Sequence, residues 1–183
     1  MNLDSLQPEI EKLDQRKQKQ FQKGLSLLKH AVTETAQISR NLLPRVVDDY
    51  GLAVAIKALV DSYNNNIEGD LTYFQNIDGL DLHHNIQLNL YRIAQECLSN
   101  AIKHAEATKI NVQLIKDELD LILSIDDNGK GFDSSANGFS EGLGLQTIKT
   151  RTGALGGEIE IDSKPGKGTF VHVVVPIKNK LVE

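Results

Sequence analysis

Glu96 and Asn100 stand four residues apart in the run Glu96-Cys97-Leu98-Ser99-Asn100, with Lys103 close behind. In a helix, at about 100° per residue, the carboxylate, carboxamide and ammonium share one face. The apolar stripe of Leu90, Ile93, Cys97 and Ala101 is turned away by roughly a quarter of a turn. Such a trio beside a buried seam could hold Mg²⁺ and meet phosphate oxygens. Magnesium takes few protein oxygens and keeps several waters and the substrate's own phosphates. Taken alone, the trio is read more simply as a solvated flank.

A second stretch, Asp126-Asp127-Asn128-Gly129-Lys130-Gly131, follows the apolar run Leu121-Ile122-Leu123-Ser124-Ile125. A carboxylate at a strand end can accept the exocyclic amine of adenine, which guanine lacks at that position. Gly129 and Gly131 would let backbone approach a flat ring. The competing reading is a hairpin turn, since Asn-Gly is a favoured turn pair. Residues 132–138 contain no returning strand, however, and read as a loop. In the third stretch, Gly142-Leu143-Gly144-Leu145, glycines open a helix whose free amides and positive dipole end suit a phosphate. It lacks the full dinucleotide fingerprint and does not follow the first strand of a βαβ unit. The fourth, Gly166-Lys167-Gly168-Thr169, fits equally a tight turn between strands.

The elements that must position these stretches are legible in outline. Residues 83–105 have helical periodicity, with Ile86, Leu90, Ile93, Ala94, Cys97, Leu98 and Ala101 on one side. Residues 71–77 alternate weakly as a strand. Residues 110–115 and 119–125 read as two strands joined by the polar turn Lys116-Asp117-Glu118. A helix is expected over 143–155, then a hairpin pairing 158–162 with 169–175. Upstream, Asp48 and Asp49 are expected to start a helix that runs to about Asn64. The whole predicts an α/β two-layer sandwich, a mixed sheet with helices on one face, preceded by a long helix.

That preceding helix carries Phe21, Leu25, Leu28, Val32, Thr35, Ser39 and Leu42 at alternating spacings of four and three. This a/d seam must end before Pro44. It is long enough to want a partner helix, so a homodimeric bundle is expected, with packing on the chain's own globular part as the alternative. Residues 1–44 are therefore read as dimerisation helices and 45–183 as the second domain.

Composition narrows the classes. In 183 residues, tryptophan is absent, aromatics make up 5% and the formal net charge is −5. The first 40 residues carry +2 and the remainder −7. These values argue against a stacking surface or phosphate-backbone footprint for nucleic acid. The single cysteine, Cys97, excludes an internal disulfide framework and a multi-cysteine zinc site. No apolar run approaches membrane-spanning length, and the first residues lack a secretory pattern. A cytoplasmic protein is expected, attached to a membrane only through a region upstream of this sequence.

In their order along the chain, the four stretches resemble the N, G1, G2 and G3 boxes of the Bergerat-fold ATPases, which include histidine kinases and gyrase-type ATPases. Residues 94–105 (AQECLSNAIKHA) are specifically similar to sensor histidine kinases. Residues 38–52 and 142–151 (GLGLQTIKTR) resemble the subfamily of nitrate and membrane-fluidity sensors. The resemblance implies ATP and Mg²⁺ as cofactors. It implies Asn100 as the magnesium ligand, with Glu96 near the metal and its waters, and Asp127 as the adenine anchor. Gly129 and Gly131 would shape the adenine wall, Gly142 and Gly144 would serve the phosphates, and Leu143 and Leu145 would be among the ATP-binding residues. Thr169, after Gly168, would support the adenine-side hydrogen bonds. Lys103 and His104 would face phosphates or ribose, and residues 132–141 would form a lid.

One departure from that pattern bears on activity. The resemblance implies phosphorylation of a histidine followed by an acidic residue, but none of the five histidines precedes Asp or Glu. The acceptor is expected a short way upstream of Met1, in a truncated or naturally split kinase core. The implied function is the catalytic core of a two-component histidine kinase, relaying phosphate to the receiver domain of a response regulator. The alternatives are an anti-sigma-type serine kinase and a non-catalytic nucleotide-binding dimerisation module.

Overall fold

Alternating burial along each strand decides how this molecule is layered. In β2 (Lys109–Asp117), Ile110, Val112 and Leu114 are buried. In β3 (Asp120–Asp127), Leu121, Leu123 and Ile125 are buried. One face of the sheet is thus apolar and must be covered by helices. The computed structural model describes residues 44–64, 69–133 and 142–177, together with Lys17, Phe21 and Gly24. The chain divides into two units, Met1–Leu43 and Pro44–Glu183. Lys17, Phe21 and Gly24 are helical. The rest of the expected seam lies outside the described residues, as do residues 134–141 of the expected lid.

The second unit begins with α1 (Pro44–Asn64), followed by β1 (Asp70–Gln75) and α2 (His84–Lys103). After the β2–β3 hairpin come α3 (Leu143–Ala154), β4 (Glu158–Lys164) and β5 (Gly168–Pro176). The five strands are ordered β1-β2-β3-β5-β4. β1 pairs with β2 in parallel, and the other neighbours are antiparallel. The parallel pair requires a crossover, which α2 supplies. α1 packs on β1, α2 on β3 and α3 on β4. The opposite face carries polar cross-strand pairs, among them Thr72 Oγ1 to Asn111 Oδ1 at 2.8 Å and Ser124 Oγ to His172 Nδ1 at 2.9 Å. The expected two-layer α/β sandwich with a mixed sheet is the observed fold.

One boundary differs from expectation. α1 starts at Pro44, not at Asp48, because proline suits a first helical turn where its missing N–H costs nothing. The helix is broken at Gly51, whose φ of 78° and ψ of 172° are not helical. Asp48 therefore lies inside the first segment, and its carboxylate meets His84 Nδ1 at 2.9 Å. The β2–β3 turn also tightens to Glu118 and Leu119, with Glu118 at φ 46°.

α2 carries most of the buried helical surface. Leu90, Ile93, Ala94 and Leu98 have no solvent exposure, and Ile86, Tyr91 and Ala101 are nearly as buried. Burying a leucine or isoleucine of this kind contributes about 1.5–3 kcal/mol. That packing against the sheet holds the helix in one rotation, which determines where Glu96 and Asn100 point.

Candidate functional site

The inward-facing row of β3 does not stop with its last isoleucine. Leu121, Leu123 and Ile125 are followed at the same period by Asp127, which is only 7% exposed. A carboxylate thus takes the final core-facing position, and its partner across the ladder is Thr169 of β5. Asp127 Oδ1 accepts the Gly129 backbone N–H at 2.8 Å. Burial pushes the Asp127 carboxyl above the usual carboxylate range. The backbone N–H groups of Gly129 and Thr169 hold it down in part, and the neighbouring charge of Asp126 raises it.

Beside Asp127 opens a cavity of about 430 Å³. α2 contributes Glu96, Cys97, Asn100 and Ala101, and His104 and Ala105 follow at its end. Lys130, Gly131 and Phe132 form another wall, Gly142 to Leu145 a third, and Thr169 stands with Asp127. The four stretches picked out by type and spacing therefore converge. Glu96, Asn100, His104, Asp127, Gly131, Gly142, Leu143, Gly144, Leu145 and Thr169 all line this one space.

Three expected site residues lie off the lining. Lys103 is exposed in the last turn of α2. Gly129 sits behind the wall, where a side chain would overlap Ala105. Gly168 also stands behind it: its φ is 81°, and a Cβ there would run into the Asp127 carbonyl oxygen. Only glycine meets both demands.

The start of α3 faces the cavity without a side-chain cap. Its first amides have no partner within the helix, and the dipole end is positive. Gly144 in this first turn lies directly against α2. A Cβ at that position would overlap Glu96 Oε1 and stand 3.3 Å from Asn100 Nδ2. The carboxylate, the carboxamide and the amide-rich turn thus share one corner.

Several residues that shape the site were not singled out by their chemistry. Cys97 and Ala101, placed on the apolar stripe, also line the cavity; the i, i+4 spacing with Ala105 is the signal that could have suggested it. Burial, aided by the charges of Glu96 and Asp127, pushes the Cys97 thiol far up, so it is a neutral apolar wall. Asn128 makes no hairpin turn. Its Oδ1 accepts the N–H groups of Thr108 at 3.0 Å and Lys109 at 2.8 Å, and its Nδ2 donates to Thr108 Oγ1 at 3.1 Å. Lys130 N–H donates to Ala105 O at 2.8 Å, and Lys130 O accepts from Gly166 N–H at 2.7 Å. The glycine-bearing segment is thereby pinned on both sides.

Among the described residues, no group of three or more His, Cys, Asp or Glu side chains could hold a metal. Glu96 and Asn100 supply the sparse oxygen set that suits magnesium, in a corner a single Cβ would fill.

Residues 85–179 match the histidine kinase-, DNA gyrase B-, and HSP90-like ATPase family. The chain belongs to this family. The matched segment of this ATPase chain runs from α2 through β5 and includes every wall of the cavity. The fold is also that of solved histidine kinases. The histidine kinase domain from the Erythrobacter litoralis EL346 blue-light activated histidine kinase is 20% identical, with a TM-score of 0.58. That match covers 70% of this chain and 66% of that one, just under two thirds. Acinetobacter baumannii histidine kinase AdeS is 17% identical with a TM-score of 0.56, over 95% of this chain and 92% of that one. Full-length ShkA, solved in complex with AMPPNP, is 18% identical with a TM-score of 0.57, over 72% of this chain and 30% of that one. No helix among the described residues is long and apolar enough to cross a membrane.

Proposed function

We propose that this chain is the ATP-binding catalytic core of a cytoplasmic two-component histidine kinase, with residues 1–44 as its dimerisation remnant and 45–183 as its ATP domain. The observation that carries the reading is the convergence of Asp127, the Glu96–Asn100 pair and the Gly142–Leu145 turn on one cavity. The Asp127 carboxylate accepts the exocyclic amine of adenine, and the apolar wall of Cys97, Ala101 and Leu145 covers the ring. The free amides at the start of α3 meet phosphate oxygens. Asn100 would ligate Mg²⁺, with Glu96 holding the ion's waters, and the metal would supply positive charge against the phosphates. His104 and Lys103 face the outer part of the nucleotide.

Phosphoryl transfer asks little covalent work of a protein, so orienting the γ-phosphoryl group is the main task of these residues. The group passes to a histidine followed by an acidic residue on a dimerisation helix, a pair these 183 residues do not contain, and from there to a receiver domain. Homodimerisation through the N-terminal helices would bring acceptor and ATP site together. The test is to mix the chain with ATP, Mg²⁺ and a separate helical fragment bearing a His-Asp pair. Acid-labile phosphate on the fragment, and none on this chain alone, is expected. Acid-stable phosphate on a serine would favour the anti-sigma-type alternative instead, and no nucleotide binding would favour a non-catalytic module.

A further inference from the structure

Ser163 is buried, at 6% exposure, and does not line the cavity. Its hydroxyl nevertheless joins two segments that do. Ser163 Oγ lies 3.0 Å from the Phe132 backbone N, 3.0 Å from the Gly168 carbonyl oxygen and 3.0 Å from Thr169 Oγ1. A hydroxyl has one hydrogen and two lone pairs. The Phe132 N–H can only donate and the Gly168 carbonyl can only accept. Ser163 must therefore give its hydrogen to Gly168 and receive one from Phe132. The single lone pair left over can only take the hydrogen of Thr169. Thr169 is thereby fixed as a donor toward Ser163, and its own lone pairs remain for the cavity it lines. Asp127, its partner across the ladder, is also an acceptor.

We propose that Ser163 is a positioning residue that sets base selectivity by holding the Thr169 hydroxyl as an acceptor. This rests on the ATP-site reading above. Two adjacent acceptors suit an exocyclic amine with its two hydrogens in direct contact. They oppose a carbonyl oxygen at the same place. A purine with a 6-amino group is accepted and one with a 6-keto group is refused, because the threonine cannot turn its hydrogen toward the ligand while Ser163 holds it. Without Ser163 that hydrogen is released and can meet a keto oxygen.

The test compares binding of ATP and inosine triphosphate, in Mg²⁺, to the full 183-residue chain and to Ser163→Ala, Thr169→Val and the double variant. Inosine triphosphate differs from ATP at the 6-position of the base and in the hydrogen that its N1 carries in consequence. The ATP preference should fall by roughly tenfold in Ser163→Ala, the scale of one hydrogen bond. Thr169→Val, nearly the same shape without a hydroxyl, should lose a similar factor, and the double variant no more than Thr169→Val alone. Thr169→Val leaves Ser163 in place, so an unchanged preference there overturns the proposal even if Ser163→Ala fails to fold. Equal weakening of both nucleotides, an unchanged preference in Thr169→Val, or two losses that multiply would overturn the proposal. Failure of the unaltered chain to bind either nucleotide would overturn the ATP-site reading itself.

Discussion

Asp127 and Thr169 stand opposite each other across the β3–β5 ladder, two residues beyond the pair Ile125–Val171 and four beyond Leu123–Val173. The row that builds the hydrophobic core thus runs out into two polar side chains at the edge of a cavity. A flat, largely apolar ring can continue the core there while its polar edge meets a carboxylate. In the proposed site, recognition would follow the sheet's own period and sit on paired strands.

The buried Asp127 makes a pH prediction whose sign follows from its raised pKa. The folded state holds the proton more tightly than the unfolded chain. Asp127 therefore favours folding most below the ordinary aspartate pKa, and that contribution is lost as pH rises through the folded value. The Tm difference between Asp127→Asn and the parent should shift in the variant's favour between about pH 4 and pH 7. ATP affinity should meanwhile fall at least about tenfold. In the parent, ATP binding should weaken on acidification with a midpoint above that of an ordinary aspartate. Thermal unfolding and nucleotide titration across pH check both. A Tm difference flat with pH would contradict the sign.

Gly144→Ala should separate stability from binding. Within a helix this change ordinarily adds about 0.5–1 kcal/mol. The atom in the way is the end of the flexible Glu96 side chain, which can move at little cost. The Tm should hold or rise, while Mg-ATP affinity falls about tenfold or more because Glu96 and Asn100 are displaced. Unaltered affinity would mean that this corner does not touch the nucleotide or its metal.

Gly168→Ala should do the reverse. Here the obstacle is the backbone oxygen of Asp127, and the residue's φ is 81°. Neither can relax without disturbing the ladder, so a loss of about 2–4 kcal/mol is expected. In a chain this size that corresponds to a Tm lower by about 5–15 °C. Differential scanning calorimetry reads it directly, and an unchanged Tm would refute the packing argument.

Much of the site was legible because its chemistry is carried by short-range patterns. The period of Leu121, Leu123 and Ile125 carries Asp127 inward, and a four-residue helical spacing aligns Glu96 with Asn100. What escaped depends on contacts between distant segments. Asn128 reads as a turn residue until Thr108 and Lys109 are seen to donate to it. Ser163 is an ordinary strand serine until Phe132 and Thr169 arrive from elsewhere. Lys103 shares the helical face of Asn100 in the sequence pattern, yet it is exposed to solvent while His104 beside it lines the cavity. The early start of α1 is a local effect missed because Asp48 and Asp49 imitate a helix cap. Asp48 instead pairs with His84.

The most direct measurement is a calorimetric titration of the chain with ATP in the presence and absence of Mg²⁺, repeated on Asp127→Asn and Asn100→Ala. Saturable binding of one nucleotide per chain is expected, weakened at least about tenfold by Asp127→Asn whether or not metal is present. Asn100→Ala should weaken it only when Mg²⁺ is supplied. Absence of binding, or equal affinity in all three proteins, would contradict the account.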